Sequence, residues 1–157
     1  MPDAITKKLL SKIWRDMIEY WPDVAYYHDD SANLDFSKYQ WEQHGMCFDN
    51  PDNPLHYFKT ALRFIKQHDL RGILKGAKIY PNNSKYRGYD IKDAITEALG
   101  ARPTICCNED RYGTVQLHEI WVCLHRNGTT RPCQHIFSNC PKAWVRPIKF
   151  AAPTNEA

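Results

Sequence analysis

Apolar residues recur every three or four positions near the start of the chain. Ile5, Leu9, Ile13, Trp14, Met17 and Ile18 fall on one side of a helical wheel, and Lys8, Lys12, Arg15 and Glu19 on the other. Asp3 fits as an N-cap, and Trp21-Pro22 as the stop, because proline disfavours helical geometry in the residue before it. A second stripe of Leu55, Phe58, Leu62 and Ile65 follows the turn-rich run from Asp49 to Pro54. It predicts a helix with its apolar side in a core and Lys59, Arg63 and Lys66 in solvent. Two shorter helices follow: Leu70 to Lys75 behind an Asp69 cap, and Ile91 to Leu99 between an Asp90 cap and Gly100. From Arg102 the pattern turns extended, over Pro103 to Asn108 and Val115 to Leu124, with Asn127-Gly128 as a turn.

A chain of 157 residues is long enough for one domain, residues 1–157, around one hydrophobic core. Hydrophobic residues make up 43% and aromatic ones 13%, which excludes a disordered chain. The net charge of +3 is too small to argue for a nucleic-acid partner, although the histidines add charge in an acidic compartment and then favour a polyanion. No apolar run approaches membrane-spanning length, so no membrane partner is expected. Met1 to Ile5 lacks the apolar core and cleavage site of a secretion signal. Six cysteines and the sequons at Asn82 and Asn127 nevertheless fit an oxidised, secreted glycoprotein. The expectation is a chain shortened at its front.

A metal site is not expected. Cys106, Cys107, His118, Cys123, Cys133, His135 and Cys140 contain no paired C-x2-C spacing for a tetrahedral ion. His28, His56 and His68 read as surface histidines, and Trp121 and Trp144 as packing residues. Lys142, Arg146 and Lys149 read as a solvated face.

The segment Phe36-Ser37-Lys38-Tyr39-Gln40-Trp41-Glu42-Gln43-His44-Gly45-Met46-Cys47 carries the candidate chemistry. It resembles the second active-site segment of the ribonuclease T2 family, whose usual pattern is F-W-x-H-E-W-x-K-H-G-T-C. Phe36, Trp41, His44, Gly45 and Cys47 match by position. Tyr39, Gln40 and Gln43 stand where the family has His, Glu and Lys. Tyr20-Trp21-Pro22, Tyr57 to Phe64, Ile79 to Pro81, Pro103 to Asn108 and Gln116 to Cys123 also resemble family segments, in the expected order. The likeness runs over about residues 9–142 and covers the family's C-terminal two-thirds. The family's upstream H-G-L-W-P segment has no counterpart in the chain.

The resemblance implies an α+β fold, an antiparallel sheet packed against several helices. It also implies cleavage of RNA through a 2′,3′-cyclic phosphate without a metal or cofactor. That reaction needs one group to take the 2′-hydroxyl proton and another to protonate the leaving 5′-oxygen, and histidine suits both roles. A cation or donor nearby steadies the charge that develops on the phosphoryl oxygens. His44, Gln40 and Gln43 are therefore the implied catalytic positions. Tyr39, Trp41, Phe36, Pro22 and Asp23 are the implied phosphate- and base-binding positions. The family's disulfides imply Cys107–Cys140 and Cys123–Cys133, leaving Cys47 and Cys106 unpaired.

RNA is the implied partner, together with the absent N-terminal segment or another protein. A secreted (extracellular) or vacuolar location is implied by the family and the cysteine usage. With the upstream histidine absent and amides at two catalytic positions, little or no ribonuclease activity is expected. A non-catalytic homologue serving storage, defence or RNA binding, or a degenerate gene product, stands as the alternative.

Overall fold

The computed structural model describes residues 5–45, 52–125, 127–142 and 146–153. The chain divides into two compact units, residues 1–68 and 69–157.

The first unit is helical. Thr6 caps α1 (Lys7–Leu10) by accepting a hydrogen bond from the Leu9 amide at 3.1 Å. The single helix expected from the apolar stripe is interrupted here. Ile13, at φ −120° and ψ 2°, leaves helical geometry before α2 (Trp14–Tyr20) starts, and its amide turns back to the Leu10 carbonyl at 2.9 Å. Tertiary packing overrides the local repeat, because Leu10, Ile13 and Met17 are all buried in the unit's core. Asp3, expected as the cap, lies outside the described residues.

A longer helix, α3 (Asp30–His44), follows behind Asp29, whose carboxylate accepts from the Ser31 and Ala32 amides at 2.8 and 3.2 Å. Its buried positions are Asn33, Ser37 and Trp41, at i, i+4 and i+8. Two of these three are polar, so hydrophobic periodicity does not announce the helix. α4 (Pro54–Gln67) begins with Asn53 accepting from the His56 amide at 3.0 Å and proline in its first turn. Phe58 and Leu62 enter the core as the stripe predicts, whereas Ile65 sits at the helix edge, 38% exposed.

The second unit opens with α5 (Leu70–Gly76), where Asp69 accepts from the Gly72 amide at 2.9 Å. β1 (Lys85–Tyr86) precedes α6 (Gly88–Leu99). α6 starts two residues before the expected Asp90 cap. Asp90 sits in the first turn instead, paired with Arg87 at 2.7 and 2.9 Å. Gly100 closes α6 in the left-handed region at φ 69°, as the sequence predicts.

β2 (Thr104–Glu109) and β3 (Val115–Trp121) form the longest pairing, antiparallel, with a bulge between Cys106 and Cys107. β6 (Phe137–Ser138) and β7 (Ile148–Lys149) complete a sheet of order β1-β7-β3-β2-β6. The sheet is mixed: β2–β6 and β3–β7 run parallel, because the C-terminal segments return alongside strands laid down earlier. Ile91, Ile95, Ile105 and Ile148 are fully buried within this unit.

A two-stranded ribbon of β4 (Cys123–Leu124) and β5 (Thr130–Arg131) projects around the turn at Gly128, and the Cys123–Cys133 disulfide ties it down. A second disulfide joins Cys107 to Cys140, and Cys106 is left as a buried free thiol. Both pairings are those the family resemblance implies. Four of the cysteines weighed as metal ligands are thus consumed in disulfides. Trp121, read from the sequence as a packing residue, is 53% exposed, and its indole donates to Glu119 at 2.7 Å. Trp144 and Cys47 lie outside the described residues.

Candidate active site

The candidate residues from Phe36 to His44 all sit on the last two and a half turns of α3. At 100° per residue, Tyr39, Gln43, Phe36, Gln40 and His44 sweep an arc of about 140°, whose His44 end overlaps the azimuth of the buried Asn33, Ser37 and Trp41. His44 and Gln43 are exposed in the final turn, and Tyr39 is 56% exposed. Phe36 and Gln40 are half-buried at the border with the core. The fold therefore gathers five of the expected residues onto one continuous surface. Among the described residues, that arc of α3 carries no carboxylate and no lysine or arginine. Lys38 and Asp35 pair with each other at 2.8 Å on another side of the helix.

Trp41 belongs elsewhere. Grouped with the RNA-contacting positions by resemblance, it is 4% exposed and packs edge-on against Tyr57 at 5.6 Å. Burial also pushes the Tyr57 hydroxyl above the usual tyrosine range. The placement of Trp41 explains the glycine after His44. A Cβ on Gly45 would lie 1.9 Å from the Trp41 ring, so only glycine lets the chain pass over the indole. The Gly45 amide donates to the Trp41 carbonyl as the helix ends. His44 is thus held between a packed tryptophan and a glycine that must remain glycine.

Pro22 and Asp23, both half-buried, are anchored by a residue that motif reading overlooked. Asn33 is 3% exposed. Its side-chain carbonyl accepts from the Asp23 amide at 2.7 Å, and its amide group donates to the Tyr27 and Asp29 carbonyls at 3.0 and 2.9 Å. One side chain thereby closes the loop of residues 22–29 onto α3, one turn before Phe36. The Ser37 hydroxyl donates to the Asn33 carbonyl at 2.8 Å and extends the same buried polar column. The spacing Asn33, Ser37, Trp41 was the available signal: a helix face of two small polar residues and one aromatic.

A family model described as the Ribonuclease T2 family matches residues 2–135. The chain belongs to the ribonuclease T2 family. It is 34% identical over 122 residues to Extracellular ribonuclease LE of Solanum lycopersicum, across 77% of this chain and 52% of that protein. It is 33% identical over 121 residues to the Ribonuclease-like storage protein of Panax ginseng, across 77% of this chain and 47% of that protein. The crystal structure of RNase NT in complex with 5′-AMP superposes with a TM-score of 0.73 at 29% identity. That match covers 96% of this chain and 71% of the other. The chain therefore spans about half the length of the curated relatives it matches, and it shares the α+β ribonuclease T2 fold. Within that family, the α3 arc differs from the usual pattern by presenting Tyr39, Gln40 and Gln43 around His44.

Proposed function

We propose that this ribonuclease T2 chain contacts RNA through the α3 arc and cleaves it weakly or not at all. The observation that carries this reading is the composition of the arc: one histidine flanked by two amides on an exposed helix end. Histidine is the side-chain type suited to proton transfer, and a positioned acid or base is typically worth about 10² to 10⁴-fold. Gln40 keeps a hydrogen-bonding amide but supplies neither a carboxylate's charge nor a proton. Gln43 donates to a phosphate oxygen without the positive charge that opposes a developing oxyanion, a loss of about 3 kcal/mol. Tyr39 retains a donor, and Phe36 an aromatic edge for a base. The losses belong to one cooperating site and do not sum.

The test is digestion of RNA at acidic and neutral pH beside His44→Ala. The expected outcome is little cleavage by either protein. Robust cleavage that disappears in His44→Ala overturns the reading.

Similarity to a ribonuclease-like storage protein favours one second reading, a non-catalytic homologue with a storage role. Abundant accumulation without RNA affinity would distinguish it. Two disulfides and exposed sequon asparagines at Asn82 and Asn127 support an oxidising, secretory or vacuolar setting in either case. A partner that supplies the segment present in relatives and unmatched here belongs to the same proposal. Its test is recovery of cleavage when that segment is added in trans.

A further inference from the structure

We infer that a basic groove on the helical unit, built without any α3 residue, is a second contact surface for the phosphate backbone of single-stranded RNA. The groove consists of two open hollows that share Lys59. One, of about 500 Å³, lies between the α1 region and α4, where Lys8, Lys12 and Lys59 surround Leu9 and Leu55. The other, of about 400 Å³, continues along α4 past Arg63 and Lys66. Lys59, Arg63 and Lys66 recur at i, i+4 and i+7, so they line one side of α4 over roughly 10 Å.

Charge is segregated here against the balance of the unit. Residues 1–68 hold eight lysines and arginines against ten aspartates and glutamates, yet five of those cations line the two hollows. The one acidic residue in their walls, Asp16, is engaged with Lys66 at 2.6 Å. Among the described residues, Lys8, Lys12, Lys59 and Arg63 have no ion-pair partner. Long, flexible ammonium groups over a concave surface suit a chain of phosphates read without regard to sequence. An anionic membrane fits less well. Surface-binding helices press exposed large apolar residues into the lipid, whereas Leu9 and Leu55 are half-buried and Ile13 and Leu62 buried.

The inference rests on RNA being the partner, and the experiment separates the two ideas. Binding of a fluorescent, 2′-O-methylated oligouridylate is followed by anisotropy between about 50 and 200 mM salt. The 2′-methyl group blocks cleavage through the ribose hydroxyl. The full chain is compared with Lys8→Gln/Lys12→Gln/Lys59→Gln and with the corresponding triple arginine variant.

Single strands release about 0.7 counterion per neutralised phosphate, so losing three contacts makes the slope of log affinity against log salt shallower by about 2. The expected result is that shallower slope in the glutamine variant and an unchanged slope in the arginine variant. Equal slopes in the full chain and the glutamine variant overturn the groove while leaving RNA as partner. Absence of any binding by the full chain overturns both. Binding to phosphatidylserine vesicles that the glutamine variant loses, with RNA binding unchanged, assigns the groove to a membrane and overturns the proposal. Matching thermal unfolding of the variants excludes misfolding as the cause.

Discussion

Gly45 and Asn33 hold the candidate site in place without taking part in chemistry. Gly45→Ala forces a methyl group into the Trp41 indole, an overpacking that typically costs about 1–3 kcal/mol. Urea unfolding should show that loss, and the same variant should displace His44. Asn33→Ala removes three hydrogen bonds and leaves the Asp23 amide without its acceptor inside the unit. A loss of about 2–3 kcal/mol is expected, and Asn33→Asp should recover only part of it because it keeps an acceptor but no donors. Cys106 is buried, and burial pushes its thiol above the usual range. Iodoacetamide should leave Cys106 unmodified in the native protein and modify it in urea, as read by peptide mass spectrometry. Fast native labelling of that peptide contradicts the buried placement.

At the scale of elements, the two disulfides restrain loops of different length. The Cys107–Cys140 pair closes a separation of 33 residues and Cys123–Cys133 one of 10. In the chain-entropy account these are worth about 4 and 3 kcal/mol respectively. Replacing the first pair by alanine should therefore lower the denaturant midpoint more than replacing the second.

Turns and helix starts also make stability depend on pH. The Thr114 and Tyr112 amides, with Lys149, hold the Asp110 carboxyl below its usual range, and Arg87 does the same for Asp90. Lys7 and the Trp14 indole lower Asp30. A carboxylate whose folded pKa is depressed contributes stability above its unfolded value, near 3.9, and loses it as pH falls through the folded value. The urea midpoint should accordingly hold from neutral pH to about pH 5 and fall as pH drops further, through the unfolded value toward the lower folded ones. Asp110→Asn should flatten that acid limb.

At the scale of the molecule, the second unit carries an open hollow of about 480 Å³ walled by Leu74, Leu117, Ile120 and Phe150, with Arg71 and Glu119 at its edges. Apolar walls of this kind invite association. We propose that the chain alone is marginally stable, prone to aggregate or dependent on a partner. Light scattering and thermal unfolding of the purified chain test this. A monodisperse monomer with one sharp transition well above room temperature contradicts it.

Hydrophobic periodicity by itself determined α4 and α6, because Phe58 and Leu62, and Ile91, Ile95 and Leu99, are buried at helical spacing. Turn chemistry at Asp69 and Gly100 was equally legible, since a carboxylate cap and a left-handed glycine act within a few residues. Matching motifs established the family and named His44, Gln40 and Gln43. Tertiary structure alone decided the break at Ile13, where packing outweighs the helical repeat. It also decided that the segment around His44 is a helix, because its buried face is Asn33, Ser37 and Trp41 rather than an apolar stripe. Only the folded chain separates Trp41 from its motif neighbours and makes Gly45 obligatory. Both facts depend on where Tyr57 of α4 meets the indole, a contact between residues sixteen positions apart that no local pattern encodes.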